Sequence, residues 1–177
     1  MNDNKTVFVG ARKTDNHVIR FDVRKGHFTQ WVGQGQPPRE YDFVQGYLTG
    51  ITLRKRETQG GEMTCMDMHF VNGETRFDVS TLASGSVSAE IISKLVNVQD
   101  VRSLIRIDVW PQGAYTNCTV RENGEKLPFR ILPKVVKKPN GFSTVIDSSE
   151  RDAAVMHMID ELNTRLKMSE RATTQQI

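Results

Sequence analysis

The sequence predicts a mainly β protein whose central part is a five-stranded Greek-key barrel with one inserted helix. Three observations predict this fold class. Apolar and polar residues alternate along five segments between residues 43 and 122, as they do in strands with one buried face. Asn72-Gly73 and Asn123-Gly124 are strong hairpin-turn signals beside such segments. Between the third and fourth segments the apolar residues become spaced as on one face of a helix.

The first predicted strand is long and contains Gly46 and Gly50. Glycine inside a strand often marks a bulge or a sharp bend, and a barrel needs such a bend where one strand serves both sheets. Tyr47 and Ile51 are expected to share a face of this strand, which makes Tyr47 a candidate for the core. The five strands are predicted at residues 43–56, 62–71, 74–80, 103–110 and 115–122.

A short amphipathic helix is predicted between the third and fourth strands. Val87, Ile91 and Leu95 recur every four residues and form its apolar stripe, and Ser84 or Ser86 is expected to cap it.

A second, longer helix is predicted at residues 149–167, followed by a frayed tail without an apolar stripe. Its apolar stripe is formed by Val155, Met158, Ile159, Leu162 and Leu166.

These elements divide the chain into three predicted parts. Residues 1–40 form a strand-rich extension, with short strands at residues 6–12, 17–23 and 27–32 and a Gly- and Pro-rich linker at residues 33–40. Residues 41–147 form the barrel and an extended, loop-like segment after it. Residues 148–177 form the C-terminal amphipathic helix and its tail.

Composition and charge limit the classes of function. The chain has 177 residues, enough to bury a core, and a net charge of +3. Two basic clusters, Arg54-Lys55-Arg56 and residues 121–138, suit a binding groove better than a uniformly basic tail. No apolar segment is long enough to cross a bilayer, and the N-terminus lacks the pattern of a signal peptide. We therefore expect a cytoplasmic protein whose two cysteines are reduced and buried.

Signs of catalysis are few. The sequence contains no glycine-rich phosphate loop and no His-Glu-x-x-His motif, and its four histidines lack the spacing of metal ligands. Asp67 and His69 share a strand face, but a solvated strand face or a core histidine is the simpler interpretation. We expect no enzymatic activity, no metal and no cofactor.

Aromatic and basic residues share the predicted barrel strands. This combination holds single-stranded nucleic acid, because aromatic rings stack on bases and cations follow the phosphates. Trp110 lies opposite the apolar face of its strand, beside Arg106, and Tyr115 shares a face with Arg121. Core packing is the alternative role for each aromatic residue. The predicted nucleic-acid-binding residues are Arg54, Lys55, Arg56, Arg76, Arg106, Trp110, Tyr115, Arg121, Lys126, Lys134, Lys137 and Lys138.

The order strand, strand, strand, helix, strand, strand is the chain order of the OB-fold, although an open antiparallel sheet with one covering helix stays an alternative. The stretches GYLTGITLRKRE, MTCMDMHFVNGETRFDVS, IISKLVNVQDV and YTNCTVRENGEKLPF carry a further resemblance, one of pattern. Through them residues 41–146 resemble the OB-fold single-stranded DNA-binding proteins of bacteriophages and related mobile elements. The resemblance implies a role in DNA replication. It does not extend to the first forty residues.

The sequence therefore predicts a non-enzymatic protein that binds single-stranded DNA by stacking and phosphate contacts, with little sequence preference. Two alternatives stay open: a structural or assembly protein of a phage or an oligomer, and a carbohydrate- or protein-binding β-domain. The expected partner is single-stranded DNA and no membrane is expected, with the host cytoplasm as location if the protein is phage-encoded. Self-association as a homo-oligomer and the choice between DNA and RNA stay open.

Overall fold

The computed structural model describes residues 18–33, 35–58, 61–141 and 143–174, so the strand predicted at residues 6–12 lies outside the described part. The described part is mainly β and ends in a long helix, as the sequence predicts. Its elements are β1 (Ile19–Arg24), β2 (His27–Gln30), β3 (Arg39–Tyr41), β4 (Phe43–Thr58), β5 (Gly61–Asn72), β6 (Thr75–Leu82), α1 (Ser86–Leu95), β7 (Leu104–Gln112), β8 (Tyr115–Glu122), β9 (Glu125–Lys126), β10 (Val136–Asn140), β11 (Ser143–Asp147) and α2 (Ser149–Thr174).

Nine of these strands form one sheet in the order β3-β2-β1-β6-β5-β4-β7-β8-β9. The five predicted strands are its centre, β6-β5-β4-β7-β8, and neighbouring strands there are antiparallel. The sheet is mixed because β1 pairs with β6 in parallel. The five central strands close into a barrel only if their end strands, β6 and β8, pair with each other. Among the described strands β6 pairs with β1 and β8 with β9 instead, so the sheet is open and the predicted closed barrel is not found.

The open sheet curls far enough to bring the turn between β1 and β2 onto the β7–β8 hairpin. The N–H of Gly26 donates a hydrogen bond to Thr116 Oγ1 at 3.0 Å. The N–H of Val109 donates to the carbonyl of Asp42 at 2.9 Å, which continues the ladder between β4 and β7 by one residue. Gly26 has a φ of +82°, and a Cβ there would lie 2.2 Å from the nitrogen of Pro111. Only glycine therefore fits this close approach.

The core lies between one face of the sheet and the two helices. Alternate residues of β7 point into it and are buried, as the period-two pattern predicts. Of the apolar stripe predicted for α1, Ile91 and Leu95 are buried and Val87 is half-buried against the same core, and Ile92 beside them is buried as well. The predicted stripe of α2 is also buried, from Val155 to Leu166.

Helix α2 is tied to the sheet by hydrogen bonds as well as by apolar contact. The side chain of Asn163 accepts a hydrogen bond from the N–H of Ile51 at 3.0 Å and donates one to the Ile51 carbonyl at 2.8 Å. The helix continues to Thr174, so the residues 169–174 that were expected to fray are helical. Residues 175–177 lie outside the described part.

A β-bulge in β4 corrects one prediction from the sequence. The pairing of β4 with β5 shifts register between Leu48 and Gly50. One extra residue reverses which face the following side chains take. Tyr47 therefore lies on the opposite face from Ile51, and it is 46% exposed where the sequence made it a candidate for the core.

Three further local differences separate the structure from the sequence prediction. The predicted linker at residues 33–40 ends inside β3, whose first residue is Arg39. The segment after the central sheet, expected to be loop-like, contains the β10–β11 hairpin, which forms a separate two-stranded sheet. The N-cap of α1 is Gly85, without a side-chain capping hydrogen bond, and neither Ser84 nor Ser86 caps it. Neither helix of the described part has a stretch apolar enough to cross a membrane.

Candidate nucleic-acid interface

The sheet has a second face, turned away from the core, which we call the polar face. The strand register places residues of β8, β7, β4, β5, β6 and β1 side by side on it. Arginine outnumbers aspartate on this face, so its formal charge is positive. Its charged and aromatic members include Arg20, Asp22, Arg24, Phe43, Tyr47, Arg54, Arg56, Asp67, His69, Arg76, Asp78, Arg106, Asp108, Trp110, Tyr115, Arg121 and, on β9, Lys126.

Trp110 and Tyr115 lie near the turn of the β7–β8 hairpin, on the polar face. Trp110 is 41% exposed and Tyr115 is 71% exposed. The parity that the sequence predicts for both rings is therefore confirmed. Trp110 stands opposite Asn117 in the ladder, and Tyr115 opposite Gln112. Both rings offer apolar faces to solvent, as a stacking platform requires.

Arg106 and Arg121 lie farther from the hairpin turn than these rings do. They stand directly opposite each other on β7 and β8. Asp108 joins them: its carboxylate accepts from Arg106 at 2.6 Å and lies 3.4 Å from Nε of Arg121. The Arg106 guanidinium also lies over the ring of Phe43, at 3.8 Å from the centroid. Both arginines are thereby held in place. We call Arg106, Trp110, Tyr115 and Arg121 the hairpin site.

A second group of residues forms an open cleft of about 680 Å³ on the polar face, between β1, the end of β2 and the end of β4. We call it the arginine cleft. Its charged and aromatic lining is Arg20, Asp22, Trp31, Arg54 and Arg56, together with the smaller side chains of Val18, Ile19, Gln30 and Val32. The structure thus brings two residues of the predicted basic run to the wall of a cleft.

Two of the three arginines that line the cleft, Arg20 and Arg54, have buried acidic partners. Arg54 Nε donates to Asp67 Oδ2 at 2.8 Å, and the Ser80 hydroxyl donates to the other oxygen of that carboxylate at 2.6 Å. Burial by itself raises the pKa of Asp67, but the hydrogen bonds from Arg54 and Ser80 outweigh it and hold that pKa below its usual value. Asp67 therefore stays ionised and fixes the Arg54 guanidinium. Arg20 is paired in the same way with Asp78, at 3.3 Å.

Trp31 is the aromatic residue of the cleft, and it is 58% exposed. Its indole Nε1 donates a hydrogen bond to Asp22 at 3.3 Å. The guanidinium of Arg24 lies 5.5 Å from the ring centroid, over one face of the indole. The ring is therefore oriented although most of it is in contact with solvent.

Sequence reasoning missed Trp31 and Arg20 as site residues. The signal that was present is the alternation of Arg20 with its apolar neighbours Ile19 and Phe21, which places its side chain on the solvent face of a strand. The alternation does not reveal that this strand pairs with β6, beside the basic run of β4. Arg20 comes to lie near the basic run only because β1 pairs in parallel with β6, which is distant in sequence. In that pairing Arg20 stands opposite Asp78.

Asp67 and His69 share the polar face, as their alternation along one strand predicts, but they make no mutual hydrogen bond in the described structure. Asp67 is bound by Arg54 and Ser80, while His69 Nδ1 lies 2.7 Å from Asp78. His69 Nε2 lies 2.8 Å from the hydroxyl of Thr52. These contacts hold the side chains of Asp67 and His69 in a network of hydrogen bonds on the polar face.

The other predicted basic residues are divided between the polar face and other surfaces. Arg76 and Lys126 are exposed, and the register places them on the polar face. Lys55 projects from the opposite side of β4 to Arg54 and Arg56, and it pairs with Glu62 at 2.8 Å. Lys134 lies just before β10, and Lys137 and Lys138 lie within β10, outside the nine-stranded sheet. Lys138 is paired there with Asp147 at 2.5 Å.

Neither of the two cysteines lines the hairpin site or the arginine cleft. Cys65 and Cys118 are both free and buried, as the sequence predicts. Burial raises the pKa of the Cys118 thiol to about 12, which keeps it protonated at neutral pH. Among the described residues, no three His, Cys, Asp or Glu side chains gather to hold a metal ion.

Comparison with protein-family models, curated proteins and solved structures finds no match for this chain.

Proposed function

We propose that this protein binds single-stranded DNA on the polar face, without enzymatic activity. One observation carries the proposal: exposed aromatic rings and oriented arginines occupy the solvent face of one sheet. Base stacking on an exposed ring is worth about 1–3 kcal/mol, and it tolerates any base because every base has an aromatic face. Arginine binds phosphate through paired N–H donors. The proposed binding therefore has little sequence preference.

The architecture supports the same proposal. In OB-folds, ligands contact the face of the second and third strands and the loops that follow the first and the fourth. If the five central strands correspond to that fold, these loops are the β4–β5 and β7–β8 turns. The strand ends before them carry Arg54, Arg56 and Trp110, and β8 begins with Tyr115. The β6–β8 pairing that closes such a barrel is replaced in the described sheet by the pairing of β6 with β1.

The proposal includes a role in DNA replication, for a phage or mobile element acting in the host cytoplasm. This part rests on the resemblance of sequence pattern.

Single strands are preferred over duplex because stacking needs bases whose faces are free, and a duplex hides them.

The test is a fluorescence-anisotropy titration with a labelled single-stranded oligonucleotide and its duplex form, at low and at moderate salt. We expect tighter binding of the single strand and a steep loss of affinity as salt rises. Equal affinity for both forms, or no binding at low salt, contradicts the proposal.

A second candidate function is assembly with other subunits, and an apolar groove favours it. The groove, of about 520 Å³, lies between the β4–β5 hairpin and α2. Leu53, Leu82 and Met156 line it and are exposed. Burial of apolar surface does not weaken as salt rises, so an association measured by sedimentation that persists at high salt, without DNA binding, supports this candidate instead.

A further inference from the structure

We infer that the arginine cleft holds one nucleotide of the bound strand, with its base on Trp31 and its phosphate on Arg20 and Arg56. This inference rests on the proposed function and adds to it a subsite built largely by β1 and β2. The ligand is a nucleoside phosphate unit, either within a strand or as a free mononucleotide.

The first argument is the placement of charge in the cleft. The Arg20 side chain is 52% exposed and its partner Asp78 only 11%. Arg54 is 38% exposed and its partner Asp67 only 4%. These two carboxylates therefore lie behind the guanidinium groups and do not line the cleft, where the acidic side chain is that of Asp22, only 17% exposed. An anion that enters the cleft meets the guanidinium groups of Arg20 and Arg54 before their partner carboxylates. Each guanidinium has five N–H donors, so one ion pair leaves further donors for a phosphate.

Arg56 adds a third guanidinium group to the cleft. It is exposed at the wall of the cleft and has no ion-pair partner among the described residues. Arg20 and Arg54 are already oriented by their buried carboxylate partners, so binding costs these side chains less freedom than it would cost flexible cations. The cleft therefore combines fixed donors with one free positive charge.

The second argument is the orientation of Trp31. Arg24 covers one face of the indole and Asp22 binds its N–H, so the ring cannot rotate freely. The ring lines the cleft, and more than half of Trp31 is exposed. A fixed ring beside phosphate donors is the arrangement that binds a base and its own phosphate together.

The arginine cleft is separate from the hairpin site. Gly26, at the turn before β2, contacts the β7–β8 hairpin, while Trp31 follows the far end of β2. Extended backbone rises about 3.3 Å per residue, so about 17 Å of strand lies between them. A single strand that occupies both sites runs along β2, and a mononucleotide reaches only one.

The chain contains only two tryptophans, and each belongs to one of the two sites, which makes the inference directly testable. Trp110→Phe leaves Trp31 as the reporter of the cleft, and Trp31→Phe leaves Trp110 as the reporter of the hairpin site. Each variant is titrated with an oligothymidylate of about twenty nucleotides and, separately, with thymidine monophosphate. We expect the oligonucleotide to quench both reporters.

The residues of the cleft are tested in the Trp110→Phe background. Arg56→Ala, and Arg20→Ala with Arg56→Ala, are expected to weaken the oligonucleotide titration of Trp31 by about tenfold or more. Lys55→Ala is the matched control, because it removes the same charge from the neighbouring residue on the other side of β4 and is expected to leave the Trp31 titration nearly unchanged. Thermal melting confirms that the variants are folded.

The outcomes separate this inference from the proposed function. A response of Trp110 without any response of Trp31 overturns the cleft and leaves the proposed function standing. No binding by anisotropy and no response of either tryptophan overturns both. Quenching of Trp31 by thymidine monophosphate shows that the cleft accepts a free nucleotide, whereas quenching by the oligonucleotide alone assigns it to a strand. An equal effect of Lys55→Ala and Arg56→Ala overturns the assignment of the phosphate to the cleft.

Discussion

Trp110 shows how strand alternation distinguishes a binding residue from a core residue. Its neighbours Ile107 and Val109 are buried, while the Trp110 ring is 41% exposed beside Arg106. Trp110→Ala is therefore expected to weaken binding of single-stranded DNA by about 1–3 kcal/mol, or about 5- to 150-fold. The melting temperature is expected to change little. Anisotropy titration and thermal melting measure the two quantities.

The matched control for this prediction is Met168→Ala. Met168 is also a large exposed side chain, at 65%, but it lies on α2, away from the polar face. We expect it to leave affinity unchanged. A large drop in the melting temperature of Trp110→Ala, or equal losses of affinity in both variants, contradicts a stacking role for Trp110.

At the residue scale the sequence predicts parity well wherever the strand is regular. Trp110 and Tyr115 are on the face that alternation assigns to them. Tyr47 is not, because the bulge between Leu48 and Gly50 intervenes. Gly50 indicates that a bulge could occur in this strand, but the sequence does not determine the residue at which the register shifts. Faces after such a shift cannot be assigned from alternation alone.

At the scale of the element, the two glycines of β4 play different roles. A Cβ at Gly46 would lie 3.0 Å from the Val71 carbonyl oxygen and 3.1 Å from the Phe77 ring. At Gly50 the nearest atom, in His69, is 3.7 Å away, an ordinary contact. Gly46→Ala is therefore expected to lower the free energy of unfolding by about 1–3 kcal/mol, as overpacking of a core does.

Gly50→Ala is the matched control for Gly46→Ala, in the same strand. Neither glycine has a positive φ, so alanine is not strained at either position. Gly50→Ala is expected to be neutral or to stabilise the fold by about 0.4–1 kcal/mol, because the unfolded chain loses freedom. Chemical denaturation of both variants measures the difference. Equal destabilisation of the two would show that strand flexibility, and not the contact with Phe77, requires glycine.

The elements themselves were largely predictable, because hairpin turns and periodicity are local signals. The tertiary contacts between the elements could not be predicted from the sequence. Asn163 binds both backbone groups of Ile51, and its sequence neighbourhood resembles any solvated helix face. The β10–β11 hairpin was missed because a proline at residue 139 and polar neighbours indicate a loop.

At the scale of the whole molecule, the N-terminal strands change the architecture that the central strands suggest. β1 occupies the edge of β6, and the sheet stays open where a five-stranded barrel would close. The sequence does not show this, because the parallel pairing joins segments that are far apart and carry no mutual signal. The same pairing places Arg20 beside Arg54 and Arg56 and so creates the arginine cleft.

The distribution of charge over the molecule leads to a prediction about salt. Two double variants remove the same charge from different places. Arg20→Ala with Arg56→Ala removes it from the arginine cleft, and Lys134→Ala with Lys137→Ala removes it from β10 and the residues just before that strand. On single strands the logarithm of the binding constant falls with the logarithm of salt by about 0.7 per phosphate contact. The cleft variant is therefore expected to lower that slope by about 1.4, since two contacts are lost.

The lysine variant is expected to lower the slope by less. Lys134 and Lys137 are exposed and lie outside the nine-stranded sheet, so their attraction to DNA is screened by solvent and salt. Both variants carry the same net charge, so a difference between their slopes cannot arise from total charge. Anisotropy titrations of the wild type and both variants at four or more salt concentrations give the slopes. If the two variants lose slope equally, DNA senses only the overall charge of the protein, and the polar face has no special role in phosphate binding.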